Sequence, residues 1–151
     1  MIQRKQTIFL LLAFVAVIVC LYLPLGCVEL IGMGTEPVLY NLALVDTNGV
    51  FDFSYCPLFI ILALTGIIAF ITVFLYKKRL LQARLCSLNI ALVFVWMLVY
   101  IYYRYFKLVT IGDFNQSFSV CLPFISAILY YMAYKGIKAD EKLIKAADRI
   151  R

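Results

Sequence analysis

The sequence predicts an all-α integral membrane protein, a four-transmembrane-helix bundle with both termini on the cytoplasmic side. Three observations carry this reading. Of the 151 residues, 66% are hydrophobic, against about 45–50% in an ordinary soluble domain. These residues fall in four uncharged blocks, each close to the roughly 17–25 residues that cross a hydrocarbon core. The cations gather on one side of those blocks, which is the asymmetry that orients a membrane protein. A chain of this length holds a single domain, 1–151.

The blocks run over about 8–25, 57–76, 85–103 and 118–134, and none contains Asp, Glu, Lys or Arg. Inside a bilayer the backbone must satisfy its own hydrogen bonds, so each block becomes a helix. Arg4 and Lys5 precede the first block, Lys77, Lys78, Arg79 and Arg84 lie between the second and third, and Lys135, Lys138, Lys142, Lys145, Arg149 and Arg151 follow the fourth. Only Arg104 and Lys107, of 14 cations, lie on the other side, beside Glu29, Glu36, Asp46, Asp52 and Asp113. Segments 26–56 and 104–117 are therefore expected to be extracytoplasmic loops. The net charge of +6 follows the topology and calls for no nucleic acid.

Leu23-Pro24-Leu25-Gly26-Cys27 has the outline of a lipoprotein cleavage site. Pro24 stands where such a site wants Leu, and the run is longer than a usual signal core, so the first block is expected to stay as a span. In the long loop, Val38–Val45 is rich in strand formers, Asp46-Thr47-Asn48-Gly49 supplies a tight turn, and Val50–Tyr55 can return. A small β-hairpin is expected there. The tail, 135–151, is expected to continue as a cytoplasmic helix with Ala139, Leu143, Ala146 and Ile150 on one face and a Glu141–Lys145 pair. Its cations attract anionic lipid headgroups, at about 1 kcal/mol each near the surface; docking of a cytoplasmic partner is the sharper alternative.

Cys-Pro-x-Phe-Ile at Cys56–Ile60 and Cys-x-Pro-Phe-Ile at Cys121–Ile125 open the second and fourth blocks alike. Two helical hairpins descended from one unit would read this way, as would a chance match between two helix starts that favour proline.

Chemistry is thinly represented. Histidine is absent, which removes the commonest general base and metal ligand. No charge lies inside a block, whereas ion and proton pathways usually carry one. Neither a cofactor nor a metal is expected, and no catalytic residue is assigned. Asn89, the most polar residue within a block, is expected to hydrogen-bond a neighbouring helix. Thr65, Gly66, Ala69 and Thr72 form a small-residue strip suited to packing within the bundle. Tyr100, Tyr102, Tyr103, Tyr105 and Phe106 read as an interfacial belt, and Trp96 as helix packing. Among the five cysteines, Cys20 and Cys86 read as small buried hydrophobes, while Cys27 and Cys56 are candidates for a disulfide at the base of the long loop. A thiol–disulfide oxidoreductase of the membrane is a remote alternative, because no CxxC pair is present.

Three stretches carry a resemblance: Met1-Ile2-Gln3-Arg4-x-Gln6-Thr7; Lys77-Lys78-Arg79 leading to Gln82-x-Arg84-Leu85-Cys86; and Asp140-Glu141-x-Leu143-Ile144-x-x-Ala147-Asp148-Arg149-x-Arg151. Together they resemble a Bacteroidota membrane family, domain of unknown function 4293. The resemblance implies a four-helix protein of a Gram-negative inner membrane and no particular activity. It also directs attention to the cytoplasmic face, where Gln3, Arg4, Gln82, Arg84, Asp140, Glu141, Asp148 and Arg149 form either a docking surface or a structural network. The expected role is a non-enzymatic structural or accessory subunit working with a membrane-protein partner. A small oligomeric transporter or lipid-handling protein is the alternative, and a polar cavity around Asn89 would favour it.

Overall fold

A computed structural model describes the backbone of residues 3–29, 36–46, 48–75, 78–109 and 111–149, and the side chains of all of these but 3–5, 145 and 147–149. The architecture is four helices, α1 (Gln3–Tyr22), α2 (Cys56–Phe74), α3 (Arg79–Tyr102) and α4 (Cys121–Arg149). α1 and α3 each pack on α2 and α4, so the helices close a ring in chain order, as short connections between antiparallel neighbours dictate. Three helical stretches, Phe53–Phe74, Arg79–Leu108 and Phe118–Ile144, are long and apolar enough to cross a membrane, and Gln6–Tyr22 is a shorter apolar helix.

α1, α3 and α4 are each longer than their apolar blocks. α3 begins at Arg79 because Gln82 and Ala83 already face the bundle. α4 runs without a break into the expected tail helix. The face that carries Ala139, Leu143 and Ala146 points away from the bundle. Ser126, Tyr130, Ala133, Ile137 and Asp140 continue one stripe at 3–4 spacing into the bundle, whereas Leu143 is 61% exposed and Ala139 and Ala146 are exposed too. The apolar stripe from the middle of the helix sets the rotation of the whole element, so the tail's own pattern is turned outward. Ile150 lies outside the described residues.

The core has two halves. One gathers Val17, Leu58, Leu62, Trp96 and Tyr100 with residues of the loops; the other gathers Leu10, Ala13, Ala69, Cys86, Val93, Tyr130 and Ala133. Thr65, Gly66, Ala69 and Thr72 are all buried, and Gly66 meets Val17 of α1, so the small-residue strip serves packing inside the bundle. The outward sides remain apolar, with Ile67, Phe70, Phe94, Leu98 and Ile128 exposed. A helix that is apolar on every side suits an apolar surrounding.

One end of the bundle is capped by an antiparallel sheet of five strands in the order β4-β3-β2-β1-β5. They are β1 (Gly26–Glu29), β2 (Val38–Leu39), β3 (Leu44–Val45), β4 (Phe51–Asp52) and β5 (Asp113–Gln116). The sheet is larger than the expected hairpin for two reasons. The Val38–Val45 run turns back on itself, with the Tyr40 N–H donating to the Ala43 carbonyl at 3.0 Å. The loop between α3 and α4 supplies β5, which pairs with β1 along its whole length. The turn at Asp46–Gly49 forms as expected: Gly49 has φ +74°, and the Asp46 N–H reaches the Val50 carbonyl at 3.0 Å.

The starts of α2 and α4 share a design, each a 3₁₀ turn (Phe53–Tyr55 and Phe118–Val120) followed by a helix whose first residue is cysteine.

Candidate functional site

Polar groups concentrate in three layers of the bundle. At the end remote from the sheet, the Gln6 amide of α1 donates to the Asp140 carboxylate of α4 at 2.7 Å, and both are buried. Gly136 makes this possible, since a Cβ at that position would come within 3.0 Å of Gln6 Cγ. Beside it the Gln82 amide of α3 donates to the Thr72 carbonyl at 3.2 Å, satisfying a backbone acceptor that the end of α2 leaves open.

This layer revises the expected docking surface. Gln82 and Asp140 face inward as mortar between helices and offer nothing to a partner. Arg84 is exposed and Glu141 half-buried. The side chains of Gln3, Arg4, Asp148 and Arg149 lie outside the described residues. Gln6 was legible only through its place in the resembling N-terminal stretch; pattern alone gives a lone Gln no role.

The middle layer is Asn89. It is fully buried on the inward stripe of α3 between Cys86 and Val93. Neither its Nδ2 nor its Oδ1 has a hydrogen-bond partner, so the expected interhelical bond is not made. The buried threonines of α2 do not supply it as donors: Thr65 and Thr72 donate to carbonyls of their own helix, Ile61 at 2.8 Å and Ile68 at 2.6 Å. The Tyr100 and Tyr130 hydroxyls are likewise buried without partners.

The third layer, beneath the sheet, centres on Asn41, the tip of the β2–β3 hairpin. Its amide donates to the Cys20 carbonyl at 2.7 Å, and its Oδ1 accepts from the Trp96 indole at 3.2 Å. One loop residue thus ties α1 to α3. The Cys20 thiol donates to the Ser119 carbonyl at 3.5 Å, and the Ser119 hydroxyl donates to the Pro24 carbonyl. Trp96 stacks on Tyr100, with ring centroids 5.5 Å apart. An Asn interrupting a run of strand formers was the available signal for this site, and it reads equally well as an ordinary turn residue.

The two cations on this side are held by rings. Lys107 lies 5.0 Å from the Tyr55 centroid and 5.7 Å from that of Tyr103, and Arg104 lies 5.8 Å from that of Phe114 while donating to Gln116. α3 reaches them through a π-helical turn, Tyr103–Leu108.

All five cysteines are free thiols, so Cys27 and Cys56 form no disulfide. β2 and β3 stand between Cys27, in β1, and β4, the strand that leads to Cys56; adjacent strands are about 4.8 Å apart. A hydrogen bond to the Glu36 carboxylate raises the pKa of the Cys27 thiol, since losing the proton would set two negative charges together. A reactive thiolate needs the opposite environment. Among the described residues, no group of three or more Cys, Asp or Glu is placed to hold a metal ion.

A helical bundle with membrane-length apolar helices, closed at one end by a small sheet, is the class that this geometry defines. The chain belongs to the family described as Domain of unknown function (DUF4293), whose profile matches residues 2–150. No curated protein matches the sequence.

Proposed function

We propose that the chain is a four-span protein of a bacterial inner membrane, with both termini cytoplasmic, and that it serves as a structural or accessory subunit of a larger membrane complex. The topology rests on the cations that cluster before α1, between α2 and α3 and along the end of α4. α1 joins the three longer helices as a fourth span by contributing Leu10, Ala13, Val17 and Cys20 to the same interior.

The observation that carries the role is the closed interior. Asn89, where a solvated path would have its polar wall, is sealed from solvent, and the residues on either side of it on the stripe are fully buried. With no charge in the four apolar blocks, the polar groups lock the elements together: Gln6 to Asp140, Gln82 to Thr72 and Asn41 to Trp96. A partner would find Arg84, Leu143 and Ile144 exposed at the cytoplasmic end. Lys135 and Lys138, which lie 5.1 Å and 4.8 Å from the Tyr131 and Tyr134 rings, sit where anionic headgroups collect. The unpartnered Asn89 amide is the one feature that favours a small oligomeric transporter or lipid-handling protein instead.

Affinity purification of the tagged chain from its own membranes in mild detergent, followed by mass spectrometry, tests the proposal. A stoichiometric protein partner, lost on Arg84→Glu or on Leu143→Asp with Ile144→Asp, is the expected result. Recovery of the chain alone or as a homo-oligomer with a defined small molecule would overturn it.

A further inference from the structure

We infer that the groove between the cap sheet and the ends of α1 and α2 binds an acyl chain of a bilayer lipid. The inference rests on the four-span reading.

The two faces of the sheet carry the argument. Leu39 and Leu44 are cross-strand partners and are buried against the bundle. The next row, Val38 opposite Val45 and Val45 opposite Phe51, points to the other face because strand side chains alternate. A capping sheet in water would show polar residues there, yet over β2, β3 and β4 this row is Val, Val and Phe, and it turns polar only at Cys27 and Asn115 of β1 and β5. It lines a groove of about 570 Å³ together with Tyr22 at the end of α1, Leu42 at the hairpin tip and Phe59 near the start of α2. That volume lies within the roughly 300–1,000 Å³ of ordinary ligand sites.

The lining selects the occupant. It contains no charged side chain, so nothing in it grips a phosphate or an ionic headgroup. The groove opens where the outward sides of α1 and α2 end, and those sides expose Val15, Val19, Ile60 and Leu64. Val15, Val19 and Tyr22 follow one another at helical spacing on α1, so a chain lying along that side meets apolar side chains up to the groove. Tyr22 is 80% exposed at this boundary, with an apolar ring and a polar tip suited to the edge of a bilayer.

The test uses the full chain in nanodiscs of phosphatidylcholine, doped with phosphatidylcholine bearing a diazirine near the end of one acyl chain. After photolysis, peptides are mapped by mass spectrometry. Adducts are expected on the Val38–Phe51 segment, and also around Leu98 and Ile128 on the outward sides of α3 and α4. Leu42→Trp, which fills the groove from an exposed position, and Val45→Glu, which charges it, should each cut the Val38–Phe51 adducts about tenfold while leaving those at Leu98 and Ile128 unchanged. Adducts at Leu98 and Ile128 without any at Val38–Phe51 would overturn the groove and leave the four-span reading intact. Absence of both would overturn the reading on which the inference rests. Protein–protein adducts at Leu42 in place of lipid would assign the groove to a second copy and overturn it as well.

Discussion

Single side chains fix how the helices meet, and their worth can be ordered by what each removal would strand. Asn41→Ala deletes an acceptor and a donor together, leaving the buried Trp96 indole N–H without its partner. The expected cost is about 2–4 kcal/mol, since each stranded buried polar group costs about 1–3 kcal/mol. Thermal unfolding in detergent, with Trp96, the only tryptophan, as the fluorescent reporter, measures it directly. Asn89→Leu should act in the opposite direction. Its amide is buried and bonds nothing, so an apolar residue of similar volume should stabilise the bundle by about 1–2 kcal/mol. A destabilised Asn89→Leu protein would mean that the amide has a partner this arrangement lacks, and would strengthen the transport alternative.

Cys27 offers a test of local electrostatics. Its raised pKa comes first from the hydrogen bond to Glu36. The stability contributed by that contact is present below the ordinary thiol pKa and is lost as pH rises through the raised one. Glu36→Gln removes the charge and lowers the thiol pKa, so alkylation of Cys27 at mildly alkaline pH should become faster. An unchanged rate would show that the contact does not hold in solution. Asp52 has the reverse sign: the Ser54 backbone N–H lowers its carboxyl pKa. Its contribution is present above the ordinary carboxylate pKa and fades as pH falls through the lowered one.

At the scale of elements, the helices were legible and the sheet was only partly so. Uncharged blocks of membrane length leave the backbone no alternative to helix, which is why all four blocks became helices. Their ends were harder to read, because the inward positions of Gln82 and Asp140 depend on packing between helices and polarity alone points them outward. The Asp46–Gly49 turn announced itself through local chemistry, whereas β5 did not. Asp113-Phe114-Asn115-Gln116 is poor in strand formers, and it becomes a strand because β1 presents an edge to it. Gly26 shows how close that pairing is: a Cβ there would collide with the Asn115 carbonyl and the Phe114 ring. Gly26→Val should therefore cost about 1–3 kcal/mol through overpacking, detectable as a lowered Tm. It should also separate the two loops, which protease sensitivity between β5 and α4 would report. An unaltered Tm would mean that the β1–β5 seam is dispensable.

At the scale of the whole molecule, the described residues form a closed bundle with buried polar groups inside, a sheet at one end and a basic end opposite. The basic end was legible in the distribution of cations before any contact was known, and it is the feature on which the proposed orientation rests. What was illegible is the direction in which polar residues work. Gln82 and Asp140 face inward, Asn89 pairs with nothing, and Asn41, inconspicuous in its loop, joins two helices.

The most direct test of orientation is thiol labelling of intact cells with a membrane-impermeant reagent, using cysteine-free variants that carry a single Asn48→Cys or Lys142→Cys substitution. Both positions are exposed, one in the sheet turn and one on the α4 extension. With both termini cytoplasmic, Asn48→Cys is labelled in intact cells and Lys142→Cys only after lysis. Labelling of Lys142→Cys in intact cells would contradict that orientation.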